Sequence, residues 1–216
     1  MYDIHIATIA IIAANVLVSI KGFDDRAFFE RYKFGIAPIQ SGQRERMLTS
    51  GFLHVDWTHL LFNMLTLYFF AGVVISWLGV GKFLGVYFIS LAAGSLLAVF
   101  FHKDEPYYSA VGASGAVTGV LYAAILLQPS MSLYLFFIPV PIPAYVVGIG
   151  YLLYSIYGMK NRVGNIGHTA HFGGAMGGYV ITLLFLPNLL YTETLMVVLL
   201  AIPIVILFVL EKMGKI

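Results

Sequence analysis

The chain has 216 residues, 60% of them hydrophobic and only 10% charged, with a mean hydropathy of +0.91. Soluble domains carry about 25% charged residues, so an ordinary water-soluble domain is excluded and the lipid bilayer becomes the expected partner. The chain has no cysteine, which excludes disulfides, thiolate chemistry and a cysteine-ligated metal. A formal net charge of +2 is no signature of a nucleic-acid partner.

Charge-free runs cover 4–20, 57–81, 83–102, 106–159, 163–192 and 194–210. About 20 mostly apolar residues cross the hydrocarbon core, and 106–159 is long enough for two spans, with Pro129, Pro139, Pro141 and Pro143 at the expected break. The chain is therefore predicted to be an all-α, polytopic helix bundle with seven helices near 4–20, 57–78, 83–101, 112–127, 143–158, 168–186 and 193–210. The runs are continuously apolar and lack the alternation of barrel strands.

The first run has no basic flank and no small-residue cleavage site, and reads as a retained helix rather than a signal peptide. The segment 21–56 mixes eleven charged residues with Phe23, Phe28, Phe29, Tyr32, Phe34 and Phe52, the composition of a segment lying in the membrane interface. At the head of the second helix, His59 and Asn63 stand at i and i+4, so both can donate from one face. That pair fits an oxyanion hole, or an interhelical polar clamp.

The fourth helix opens with Gly112-Ala113-Ser114-Gly115 and continues to Gly119. Gly115 and Gly119 form a small-residue stripe that admits a neighbouring helix closely, and Ser114 stands near the helix N-terminus, where an anion is favoured. Taken alone, the segment also fits plain helix packing. On the sixth helix, His171, Gly174 and Gly178 share a face, the surface needed to bring an imidazole against the Gly115/Gly119 stripe. A histidine at membrane depth is costly and marks a functional site, and a serine needs a base within reach to become a nucleophile. No acidic residue is placed to orient His171, so a Ser–His dyad is expected rather than a triad.

The remaining histidines have milder readings. His54 is expected to order the first loop, and His5 and His102 to lie at the interface. His168 lies one turn before His171 without an H-E-x-x-H pattern or a third ligand, so no metal and no cofactor are expected.

From about residue 34 to 186 the chain resembles the rhomboid intramembrane serine proteases. The likeness rests on Gly42-Gln43-x-x-Arg46-x-x-Thr49, Phe52-Leu53-His54, Trp57-x-His59-x-x-x-Asn63-Met64, Gly112-Ala113-Ser114-Gly115 and Ala170-His171-x-x-Gly174-x-x-x-Gly178. The resemblance implies Ser114 as nucleophile, His171 as base, His59 and Asn63 as oxyanion donors, and Arg46 as a structural residue of the first loop. It further implies a six-helix core over about 1–187 with an appended helix at about 190–211, all in one membrane domain spanning 1–216. The serine helix would start below the membrane surface, in a water-filled cavity. Substrates would be transmembrane segments entering between the second and fifth helices, and the plasma membrane is the expected location.

Two features depart from the pattern. Glu45 replaces the aromatic usual before the loop arginine, and Thr118 stands where many members carry an aromatic one turn after the serine, which leaves Tyr151 or Tyr154 of the fifth helix to stack on the histidine. Rival readings are a non-catalytic rhomboid-like binder of transmembrane segments in trafficking or degradation, and a transporter or channel using histidines as a proton relay. Seven spans also put eleven of the twelve Lys and Arg residues on the side of the first loop, with Lys82 opposite. The positive-inside rule would call that side cytoplasmic. The resemblance implies the reverse, and is followed because seven of the eleven charges lie in the embedded first loop or beside it at Lys103.

Overall fold

The computed structural model describes residues 4–134, 140–163 and 167–216; the expected break at Pro139 lies outside them. Helix α1, Ile6–Asp24, is capped by His5, whose Nδ1 accepts from the Ala7 amide at 3.1 Å. His5 thus does a local job, satisfying a helix-start donor. Asp25 ends α1 in extended conformation and caps α2, Arg26–Tyr32, through the Phe28 amide at 2.9 Å.

The expected interfacial segment is organised throughout. It holds α2, strand β1 (Phe34–Gly35), α3 (Ile36–Gln40), α4 (Arg46–Thr49) and a 3₁₀ turn, Ser50–Phe52. Arg46 is its hub, only 7% exposed. Its Nε donates to Gln43 Oε1 at 2.8 Å, and one Nη1 donates to the carbonyls of Glu30 (2.8 Å) and Lys33 (2.9 Å). A planar guanidinium suits three fixed acceptors.

Helix α5 runs from Trp57 to His102, where two helices separated by a short loop were expected. The connection is a single residue, Gly79, at φ 77° and ψ 167°. Only glycine enters that region without strain, so one residue replaces the loop. Lys82 consequently belongs to the second limb of α5, where its Nζ donates to the Phe185 carbonyl at 3.3 Å.

Strand β2 (Ser109–Ala110) pairs antiparallel with β1 and leads into α6, Ser114–Leu127. A second short pair, β3 (Ser132–Leu133) with β4 (Ile142–Pro143), precedes α7, Ala144–Asn161. Helix α7 ends at Asn161, three residues beyond the expected end, and is capped by Arg162 in left-handed conformation. Then come α8 (His168–Phe185), α9 (Leu189–Thr192) and α10 (Thr194–Lys212). Neither two-strand ladder was expected; a pairing of two residues per strand leaves no alternation to read.

Cross-contacts set the helix directions. Gly115 lies against Ala170, and Gly119 against Gly174, so α6 and α8 run the same way. His102 meets Thr169 while Lys82 meets Phe185, so the second limb of α5 runs opposite to α8. Tyr151 meets His171 and Gly158 meets His168, so α7 is also antiparallel to α8. Lys82 and Gly85, just after the Gly79 turn, lie beside Phe185 at the α8 C-terminus, and His59 lies beside Gly112 just ahead of α6. The starts of α5, α6 and α8 and the first loop therefore gather at one end of the bundle. Helix α10 starts beside α8, where Tyr179 Oη donates to the Val197 carbonyl at 3.0 Å, and packs chiefly on α7.

Glycine makes the central contacts possible. A Cβ on Gly174 would lie 2.6 Å from the carbonyl carbon of Gly115, and one on Gly178 would lie 2.5 Å from the Gly119 Cα. A second stripe had not been expected. Gly173 and Gly177 of α8 press on Ala93, Gly94 and Ser90 of α5 with equally little room. Helix α8 thus presents two adjacent glycine faces to two helices, the close backbone approach favoured in lipid.

Helices Ile6–Asp24, Trp57–His102 and Thr194–Lys212 are long and apolar enough to cross a membrane. By contrast, α6 has 14 residues, roughly 21 Å at 1.5 Å per residue, well short of about 30 Å of hydrocarbon. A helix that short cannot reach both surfaces of the hydrocarbon.

Candidate active site

Helix α6 starts at Ser114 because the chain ahead of it is tied down from several sides. Gly112 adopts φ 130°, and its amide donates to the Ser50 carbonyl at 3.0 Å. His54, fully buried, accepts from the Ala113 amide at 3.4 Å through Nε2. The bare Nε2 puts the His54 proton on Nδ1, which donates to Ser19 Oγ at 2.8 Å, and Ser19 in turn donates to the Phe52 carbonyl at 3.0 Å. His54 therefore does more than order the first loop: it links α1, that loop and the serine turn. Burial pushes its pKa down to about 3, with His59 adding to the effect and Asp56 opposing it.

Ser114 Oγ and His171 Nε2 lie 2.6 Å apart, the distance of a direct hydrogen bond. His171 reaches that position because Gly174 and Gly178, on its own helix face, let α8 seat against α6. Its other nitrogen, Nδ1, meets the Tyr151 hydroxyl at 2.5 Å. The two rings are inclined by 28° with centroids 5.8 Å apart. Both imidazole nitrogens are thus occupied, neither by a carboxylate. Of the two expected stacking candidates, Tyr151 is the one on His171, whereas Tyr154 meets His168 edge-on at 5.4 Å.

His59 covers Gly112. A Cβ at Gly112 would stand 2.6 Å from His59 Cε1, 2.8 Å from Nε2 and 3.5 Å from Ser114 Oγ. The imidazole edge therefore borders the serine, and a side chain at position 112 would displace it. The His59 amide is fixed by Asp56 Oδ1 at 2.7 Å, the cap of α5. Asn63 follows one turn later and spends one Nδ2 hydrogen on the His59 carbonyl at 3.1 Å, which leaves its second for another acceptor. Ser114, His171, His59, Asn63 and Tyr151 all line one cavity of about 1540 Å³.

His168 stays apart: its Nε2 donates to the Val163 carbonyl at 3.1 Å and its ring rests on Gly158. His102 is half-buried at the end of α5. It bonds Thr169 through Nε2 at 3.2 Å and Glu105 through Nδ1 at 3.2 Å, and stacks on Tyr108 with centroids 3.6 Å apart. That bonding ties the end of α5 to the start of α8, where His171 sits.

Residues 41–188 match the rhomboid domain. The chain belongs to the rhomboid family. It is 29% identical over 177 residues to the RHOMBOID-like protein 12, mitochondrial, of Arabidopsis thaliana, covering 75% of this chain and 52% of that protein. It is 34% identical over 135 residues to the Rhomboid protein 1, mitochondrial, of Saccharomyces cerevisiae, covering 61% and 39%. The Rhomboid protease GluP of Bacillus subtilis is 34% identical over 143 residues, covering 65% and 26%. This rhomboid thus spans about half the length of these relatives or less. They divide between mitochondrial and bacterial proteins, and the mitochondrial names lend no support to the plasma membrane expected from the sequence. The family, with the apolar helices, makes the chain a multi-pass integral membrane protein.

Proposed function

We propose that this rhomboid is an intramembrane serine endopeptidase that cleaves transmembrane segments through a Ser114–His171 dyad. The observation that carries the reading is the 2.6 Å contact between Ser114 Oγ and His171 Nε2 at the wall of a cavity within the bundle. The name of the Bacillus subtilis relative, a rhomboid protease, supports it. The whole of 1–216 acts as one membrane domain in this reading, with α10 appended to the catalytic core.

His171 takes the Ser114 proton on Nε2 as Oγ attacks the scissile carbonyl. The tetrahedral oxyanion is held by His59 Nε2–H, the free Nδ2 hydrogen of Asn63 and the Ser114 amide, which as the first residue of α6 has no intrahelical partner. His171 then returns the proton to the leaving amine, and water from the cavity hydrolyses the acyl-enzyme. The cavity is lined by Phe62 and Thr66 of the first α5 limb and by Val147 and Tyr154 of α7, consistent with entry between these two helices. A helical substrate must unwind to present its carbonyl, so segments weakened by glycine or proline are preferred.

Labelling of the reconstituted protein with a serine-reactive fluorophosphonate tests the reading. Labelling of the wild type that is lost in both Ser114→Ala and His171→Ala supports it. Labelling that persists in Ser114→Ala, or a folded wild type that takes no label, overturns it.

A further inference from the structure

The cavity that holds Ser114 and His171 extends to the short helix α2 of the first loop, where Arg26, Phe29 and Lys33 line it. Arg26 and Phe29 stand one turn apart on α2, with the Arg26 guanidinium 5.2 Å from the centre of the Phe29 ring, and Lys33 follows as the C-cap. One carboxylate serves both cations. Glu30 Oε1 meets Arg26 Nη2 at 2.5 Å, and Glu30 Oε2 meets Lys33 Nζ at 2.6 Å. Asp56 is the one acidic residue among the described residues that line the cavity, and it spends Oδ1 on the His59 amide at 2.7 Å. The described lining therefore carries two cations against one acid, an excess of positive charge along the α2 wall.

We infer that Arg26 and Lys33 set substrate preference, favouring transmembrane segments whose flank on the first-loop side of the membrane carries Asp or Glu. The inference rests on the reading of this rhomboid as a protease and adds the chemistry of the substrate it takes. The backbone beneath the two cations is fixed, because Asp25 caps the start of α2 and buried Arg46 donates to the carbonyls of Glu30 and Lys33. Their side-chain ends stay reachable: that of Arg26 is 79% exposed and that of Lys33 26%. A cavity with apolar walls and one prevailing sign of charge concentrates its field on whatever enters. The carboxylate belongs in the flank, because within the span it would be costly in hydrocarbon. The first loop also lies at the end of the bundle where α5, α6 and α8 begin, beside Ser114.

An exposed ion pair changes an equilibrium constant by only about 1.5- to fivefold. Exchanging an acidic flank for a basic one removes attraction and adds repulsion, so the full span is about three- to tenfold. A flank contact is made alike before and during the reaction, and it therefore acts on KM more than on kcat.

The experiment uses the full chain in phosphatidylcholine vesicles, which carry no net charge, and one reporter transmembrane segment with Asp, Asn or Lys at the same three flank positions. Binding of the fluorescent segments to Ser114→Ala protein reports the preference without requiring turnover, and cleavage by the wild type reports it as KM and kcat. Affinity is expected to fall in the order Asp, Asn, Lys, about three- to tenfold from first to last, with the same order in 1/KM. Salt at about 0.5 M should compress the range, since the charges are exposed to screening. Arg26→Gln combined with Lys33→Gln is expected to level the series, and Arg26→Glu combined with Lys33→Glu to reverse it. Each ratio is taken within one protein, so it does not depend on how much of that protein is folded, and the glutamine pair carries the test should the glutamate pair fold poorly. Equal affinities for the Asp and Lys segments, or a preference that survives in the glutamine pair, overturn the inference while leaving the dyad standing. Binding that prefers Asp, together with a wild type that cleaves none of the segments and takes no fluorophosphonate label, sinks the protease reading alone.

Discussion

Gly174 of α8 lies directly on the backbone of Gly115 of α6, and this contact sets the distance between His171 and Ser114. A methyl on Gly174 would stand 2.6 Å from the Gly115 carbonyl carbon and 2.8 Å from its Cα. Backbone cannot swing aside as a side chain can, so the helices themselves would have to part.

Gly174→Ala is therefore expected to lower thermal stability and fluorophosphonate labelling together. Overpacking typically costs about 1–3 kcal/mol, and a backbone obstacle puts this site at the upper end. Gly150→Ala is the control, since a Cβ there meets nothing within 4 Å. A Gly174→Ala protein with wild-type melting and labelling would show that the contact does not govern the dyad.

Asn63→Ala removes one proposed oxyanion donor and leaves both dyad residues in place. Cleavage of a reporter transmembrane segment is expected to slow by about 10²–10³ in kcat, with little change in KM. Ser114→Ala should abolish turnover altogether. An undiminished kcat in Asn63→Ala would remove that residue from the oxyanion hole and leave it the bond to the His59 carbonyl one turn earlier on α5.

His54 makes stability depend on pH. Its folded pKa, about 3, lies below the ordinary histidine value of 6.5 because burial disfavours the charged ring. With a depressed folded value, the neutral form is the stabilised one. The contribution is complete above about pH 6.5 and is lost as pH falls from 6.5 toward 3, at up to about 1.4 kcal/mol per pH unit. Melting curves of wild type and His54→Asn between pH 7 and pH 4 are expected to converge as acid removes the wild-type advantage. Parallel pH dependence in the two proteins would contradict the assignment.

Orientation is tested by a tag at Ile216. Seven crossings would put the C-terminus on the side of the site and the first loop, and the resemblance implies that this side faces away from the cytoplasm. Many of the positive charges there are neutralised or embedded: Lys21 pairs with Asp25, Arg26 and Lys33 with Glu30, Arg31 with Glu45, and Arg46 is buried. In intact spheroplasts the tag is expected to be removed by added protease. Protection of the tag would mean that the positive-inside count prevails.

Much of this protein was legible from residue types and spacing alone. Charge-free runs located the spans because lipid tolerates no unpaired polar backbone, and α1, α6, α8 and α10 begin within two residues of the places expected for them. Ser114 and His171 stood out because polar side chains are rare at membrane depth, and the stripes Gly115/Gly119 and Gly174/Gly178 already implied that their helices would meet. The turn at Gly79 was expected to be longer, since nothing local announces that one glycine will complete it. Tyr151 was named only as a candidate for stacking, alongside Tyr154. The choice between them, and the hydrogen bond to Nδ1, depend on the rotation of α7 about its own axis. That rotation is set by contacts such as Tyr122 on Gly148 and His168 on Gly158, which join residues far apart in the chain. The same holds for His54 and Ser19, tied across 35 residues. Periodicity along one helix shows which residues share a face; only the packed bundle decides which neighbour that face meets.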